Sequence, residues 1–184
     1  MLFRCSSGFL LAALVAAMAA PGCDDGEDLP ELSVTSPAFG DGEPIPLRHT
    51  CDGDGISPPL WIDDLPEKAA TLAVICEDRD GPEGDVVHWV LWGIPADGPG
   101  IVEGVPRAAE PGQGLSQGTA ADGEPGYFPP CPPEDDGEHR YDFQVYALDA
   151  SIGLASGATA AQLCSAMDGH VVAQGSLGGT LERE

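Results

Sequence analysis

Thr71-Leu72-Ala73-Val74-Ile75-Cys76 runs directly into Glu77-Asp78-Arg79-Asp80-Gly81-Pro82. The first six residues are an apolar run suited to a strand buried on both faces. The residues that follow are an acidic turn. Asp78 and Asp80 stand two apart, so their carboxylates share a side if the chain stays extended. Pro82 then fixes the backbone behind them.

Val86 to Trp92 is rich in β-branched and aromatic residues. Strict alternation would put His88, Val90 and Trp92 on one face and Val87, Trp89 and Leu91 on the other. Tyr141 to Tyr146 alternates cleanly, with Tyr141, Phe143 and Val145 on one side. Leu32 to Thr35 reads as a short opening strand, and His170 to Ala173 starts another. A single helix is legible. Thr159 and Gln162 form a capping box, Leu163, Ala166 and Met167 follow at helical spacing, and Gly169 closes it. With 25 glycines and 18 prolines, there is little room for longer helices. The expected class is all-β with a peripheral helix, a β-sandwich. Asp97 to Gly126 is read as one long polar loop without a strand.

The 184 residues suit one folded domain. Residues 1–22 read as an export signal, because the apolar run from Phe9 to Ala20 is short for a membrane span. Ala20-Pro21-Gly22-Cys23 is lipobox-like, so Cys23 is expected to carry the lipid of a membrane-anchored lipoprotein in the periplasm or cell envelope. Ordinary cleavage is the alternative. Residues 23–31 are an acidic tether and residues 32–184 the folded domain.

Seven basic residues face thirty-one acidic ones, a formal net charge of −24. Nucleic acid is thereby excluded as a partner, since phosphate backbones require Lys and Arg. Broad adhesion to anionic lipid is excluded too, leaving membrane contact through the lipid anchor only. After export, Cys51, Cys76, Cys131 and Cys164 form an even set suited to an oxidising compartment. Cys51 and Cys131, both in Gly/Pro/Asp-rich loops, are the first expected disulfide. Cys76 and Cys164 form either a second bridge or two buried free thiols.

His88 lies within a strand of Val and Trp, where a polar ring must find a hydrogen-bond partner. The acids of the preceding turn can supply one, and such a pair would raise the His88 pKa. His139 shares its parity with Tyr141 and could close the same pocket from another strand. Arg140 points the other way, toward a local acid. Gly126-Tyr127-Phe128-Pro129-Pro130-Cys131-Pro132-Pro133 cannot be a central strand. It reads as a stiff polyproline-like wall, serving as a structural clamp, a pocket wall or both. Gly112-Gln113-Gly114 lacks the strand and helix of a dinucleotide site, and no Gly-x-Ser-x-Gly is present. No cofactor and no enzymatic activity are expected. Zinc at His88, His139 and Asp78 rests on ligand type alone.

An ordered series of short motifs resembles the phosphatidylethanolamine-binding protein family, in its bacterial Raf-kinase-inhibitor-like branch. The series comprises Ile45-Pro46, Thr50-Cys51-Asp52-Gly53, Ile56-Ser57-Pro58-Pro59-Leu60, the acid turn, His88-Trp89, Ile94-Pro95, the Tyr127–Pro133 loop, His139-Arg140-Tyr141 and Gly169-His170-Val171. It runs from about Leu32 to Leu181. The resemblance implies a Greek-key antiparallel β-sandwich with a small pocket for a phosphate-like anion. Its ligand-binding residues would be Asp78, Asp80, Pro82, His88, Pro130, Cys131 and His139, with Gly126 and Tyr127 beside them. Three departures stand out. Arg79 replaces a proline and would put a cation near the turn. Pro129 replaces a glycine and would stiffen the wall. Val86 replaces a frequent aromatic residue at one pocket edge. A protein partner that the binding protein modulates is implied by the family's name, and a homodimer, frequent among bacterial relatives, is left open. The alternatives are a surface-acting inhibitor or adaptor with a vestigial pocket, and a hydrolase built on a His–Asp pair.

Overall fold

The computed structural model describes residues 29–82 and 84–183. The expected signal segment, Cys23 and most of the tether lie outside them. Eight strands and one helix follow in order: β1 (Ser33–Thr35), β2 (Glu43–Pro44), β3 (Trp61–Asp63), β4 (Thr71–Asp78), β5 (Val86–Pro95), β6 (Ser116–Gln117), β7 (His139–Leu148), α1 (Ala160–Met167) and β8 (Val171–Leu181). They form a six-stranded sheet of order β2-β8-β7-β4-β5-β6 and a two-stranded sheet of β1 and β3. The protein is mostly β with one helix, as expected, and neither sheet is closed. All pairings are antiparallel except that of β2 with β8.

β4 sits between β5 and β7, and Leu72 to Cys76 are buried. An apolar run without alternation belongs there, because both faces of a central strand are covered. On one face Trp89, Leu91, Tyr141, Phe143 and Val145 pack with Leu60 and Tyr127. On the other, Ile75, Val90, Trp92 and Tyr146 pack against Leu163 and Met167 of α1. The helix is capped as its sequence predicts. The Thr159 side chain accepts from the Gln162 backbone, and Gln162 accepts in return from the Thr159 N–H. Gly169 follows with φ +74°. The Asp97–Gly126 loop does contain a strand, the two-residue β6, which Leu91 and Trp92 template.

Alternation along β5 is broken at one decisive place. Cys76 pairs with Trp89, and Glu77 pairs with Val87. His88 is therefore a surplus residue, a β-bulge. Past it Trp89 still joins the Tyr141 side and Val90 the α1 side. His88 does not share a face with Val90 and Trp92, contrary to strict alternation. The bulge turns its ring toward the end of the sheet where β4 and β7 bring acids and a second histidine.

Candidate functional site

That end of the sheet holds a cavity of about 160 Å³ lined by Asp78, Gly81, Pro82, Val86, His88, Phe128, Cys131, Pro132, Pro133, His139 and Tyr141. β4 and β7 run in register, with Asp78 opposite Tyr141. His139 precedes Tyr141 by two and so shares its face. Asp78, His88 and His139 are each 3–4% exposed. Their charges and dipoles therefore act on one another with little screening by water.

His139 Nδ1 lies 2.8 Å from Asp78 Oδ2, and its Nε2 lies 3.4 Å from Asp136 Oδ2. Burial alone would lower the His139 pKa. The hydrogen bond and charge of Asp78, joined by Asp136, outweigh it and hold the value above the usual imidazole range. The remaining Asp78 oxygen accepts from the Asp80 backbone N–H at 2.9 Å. That bond curls the turn, so Asp78 and Asp80 do not point the same way. The Asp80 carboxylate turns outward to Arg140, accepting from its backbone and its guanidinium. These bonds lower the Asp80 pKa. Arg140 thus meets the local acid its parity predicts.

His88 is arranged differently. Its Nδ1 lies 2.8 Å from the Phe128 carbonyl oxygen, so Nδ1 carries the proton and donates it. The ring stacks on Phe128 with centroids 5.1 Å apart and meets Tyr141 edge-on. Burial lowers its pKa, and the Phe128 carbonyl and Asp78 offset this only in part. The expected His88–carboxylate pair with a raised pKa does not form. Asp78 pairs with His139 instead, because the bulge sets His88 against the wall loop.

Tyr141 is 0% exposed, and its hydroxyl has no well-formed hydrogen bond among the described residues. Burial first, then the nearby Asp78 charge, hold its pKa well above the phenolic range. A buried hydroxyl without a partner is costly, and inside a cavity it marks a place for a ligand atom. Parity with His139 was the sequence signal for it. Phe128, Gly81, Pro132 and Pro133 also line the cavity, although the motifs did not single them out as ligand contacts. Gly81 is required by space: a Cβ there would stand 2.5 Å from the Gly84 carbonyl oxygen.

The wall loop, residues 127–133, has no regular secondary structure. Phe128 N–H donates to the His88 carbonyl at 2.7 Å and Cys51 N–H to the Pro130 carbonyl at 3.0 Å. Cys51 and Cys131 form the expected disulfide, closing a separation of 80 residues. Arg183 grips Asp52 with two nitrogens and donates to the Pro132 carbonyl. Cys76 is a buried free thiol, so the Cys76–Cys164 bridge does not exist.

Several residues expected at the pocket sit behind it. Tyr127 is buried, stacks edge-on with Trp89, and its hydroxyl donates to the His49 carbonyl. Pro130 is buried under the wall and anchors Cys51. Gly126, at φ +101°, packs against Arg107, where a Cβ would stand 2.9 Å from Cγ. Pro129 packs toward Gly55 rather than into the cavity. Arg79 also turns away. Its guanidinium meets Glu77, Asp85 and Asp142 on the other face of the sheet, so the cation it brings to the turn does not face the cavity. Among the described residues no cluster of His, Cys, Asp or Glu is built to hold a metal ion.

Residues 35–182 match the sequence profile of the phosphatidylethanolamine-binding protein family. The chain belongs to that family. It is 43% identical over 152 residues to a UPF0098 protein of Methanothermobacter thermautotrophicus, covering 83% of this chain and 99% of the relative. Among solved structures, the family homologue CT736 of Chlamydia trachomatis superposes with a TM-score of 0.74 at 40% identity, covering 84% of this chain and 99% of that one. YbcL of E. coli, described as a new member of the mammalian PEBP family, gives a TM-score of 0.76 at 27% identity over 84% of this chain and 99% of its own. The β-sandwich of this family is therefore the fold of this chain.

Proposed function

We propose that this family member is an exported binding protein whose cavity holds a small phosphate-like anion. One observation carries the reading: a buried Tyr141 hydroxyl without a well-formed hydrogen bond faces the same cavity as the His139 imidazole, whose pKa Asp78 and Asp136 raise. A hydroxyl donor beside a ring that favours its charged form suits an oxyanion, and charge-assisted bonds of this kind are about twice as strong as neutral ones. The proline wall is already in place, so little ordering entropy is lost on binding. Binding without turnover fits the lining. Its one sulfur, on Cys131, is committed to a disulfide, and no Ser or Thr stands there as a nucleophile.

The same reading has the protein anchored in the periplasm or cell envelope through lipid on Cys23 and modulating a partner protein. Titration with inorganic phosphate, followed by NMR of the imidazole protons, tests the pocket. Shifts at His139 and His88 are the expected result, with the His88 shift lost when Tyr141→Phe and His139→Gln are combined. Silence at both rings with phosphate in large excess would refute it.

A further inference from the structure

The hydrogen-bond inventory of the cavity defines more than a negative charge. Both Asp78 oxygens are already used, one by the Asp80 N–H and one by His139 Nδ1. The Tyr141 hydroxyl meets no acceptor at good hydrogen-bond geometry among the described residues, the Asp78 carboxylate being its nearest acceptor. His88 has given its Nδ1 proton to the Phe128 carbonyl. The Nε2 of a neutral ring is then a lone-pair acceptor, and it has no partner among the described residues. The free valences of the site are thus one donor and one acceptor.

A guest that complements them must accept from Tyr141 and donate to His88. A fully deprotonated oxyanion can do only the first. Its oxygens would face the Nε2 lone pair, and the Asp78 charge would stand nearby as well. Leaving two acceptors opposed in a buried site costs roughly 1–3 kcal/mol.

Resting on the anion-pocket reading above, we propose that the cavity selects an oxyanion that still carries a proton, with His88 Nε2 accepting it. Inorganic phosphate keeps such a proton throughout the neutral range, and a phosphate monoester keeps one up to its second pKa of about 6. Sulfate keeps none, and neither does a phosphodiester such as the linkage in an intact phospholipid. The selected ligand is then the free or hydrolysed head group rather than the lipid.

The groups facing His88 are consistent with this. Asp78 approaches from β4, His139 and Tyr141 from β7, and the Phe128 carbonyl from the wall. Asp122, engaged by Arg107, acts from the loop before the wall. Burial keeps the ring short of protons, so a protonless anion has to recruit one to His88 before it can fit. As pH falls and the ring charges, the discrimination shrinks.

The test uses the full chain with histidine labelled by ¹⁵N and four probes: inorganic phosphate, phosphoethanolamine, sulfate and glycerophosphoethanolamine. At about pH 6, close to the ordinary imidazole value of ~6.5, phosphate and phosphoethanolamine should bind about tenfold or more tightly than the other two. His88 should remain a neutral Nδ1–H ring in their complexes and become imidazolium in those of sulfate and the diester. The affinity ratio should narrow toward one in His88→Phe, with the His139 signals confirming that the variant is folded. Equal affinities for all four probes, or an imidazolium His88 in the phosphate complex, would overturn the proposal while leaving the anion pocket standing. Binding of none of the four would remove the pocket reading and this selectivity together.

Discussion

The last residues of β4 carry two charged constellations on opposite faces of one sheet, and they are built for different ends. Inward, Asp78 holds His139 beside a hydroxyl with no well-formed hydrogen bond and a second imidazole of which only Nδ1 is bonded, among the described residues. Outward, Arg79 is shared by Glu77, Asp85 and Asp142, and its side chain is 30% exposed. Every strong group of the outward cluster is matched within the protein. The inward cluster is left one donor and one acceptor short. Ion pairing alone therefore does not mark a site; an incomplete inventory in a dry cavity does.

Breaking the wall should have the largest effect. Cys131→Ser opens a loop of 80 residues, which the chain-entropy account values at about 4.5 kcal/mol. Chemical denaturation should show that loss, and phosphate binding should vanish with the wall. The outward cluster should be untouched, so the near-native salt dependence of folding should survive.

Asp78→Ala comes next. It leaves a buried imidazole without its carboxylate, at a cost of about 3 kcal/mol, read from denaturation midpoints. The pH dependence has a fixed sign. The His139 pKa is raised on folding, so the stability this pairing contributes is fully present below the unfolded value of ~6.5 and is lost as pH rises through the folded value. The gap in stability between wild type and His139→Gln should therefore be widest in mild acid and close in alkali. A gap that widened with rising pH would contradict the pairing.

Tyr141→Phe separates binding from folding. Removing an unpartnered buried hydroxyl should leave stability unchanged or raise it by up to about 1 kcal/mol. Phosphate affinity should fall about tenfold, the effect of one lost hydrogen bond to a charged group. Calorimetric titration beside thermal melting reads both.

Arg79→Met should be the mildest. A half-exposed cluster is screened by solvent, so the cost should be about 1 kcal/mol and should fade in high salt. Phosphate affinity should not change. A loss of affinity here would mean that the two faces are coupled through β4.

Much of this arrangement was legible in the chain. Thr71–Cys76 has the unbroken apolar character of a central strand, and β4 is one. The Thr159–Gln162 box marked the start of α1. Cys51 and Cys131 were paired by their loop surroundings, and the parity of His139 with Tyr141 placed both in the cavity. The failures share a cause, because each lies where the backbone leaves the regular repeat. Counting by twos cannot see a surplus residue, so His88 was put on the wrong face and given the wrong partner. Asp78 and Asp80 were assumed to be extended, whereas a side-chain-to-backbone bond folds one back over the other. Arg79 brings a cation to the turn, but its guanidinium lies across the sheet from the cavity. The family resemblance implies Tyr127 beside the pocket, but an aromatic ring beside Trp89 gains more from burial in the core.

The surplus residue at position 88 makes ligand recognition a matter of chain length. Removing His88 would let Val87 and Trp89 continue an unbroken ladder opposite Glu77 and Cys76. Trp89 and Val90 would keep their faces, while Phe128 would lose the carbonyl, the ring nitrogen and the stacked ring that seat the wall against β5. On the proposed reading, recognition and the seating of the wall would be gained or lost together by a single-codon insertion or deletion.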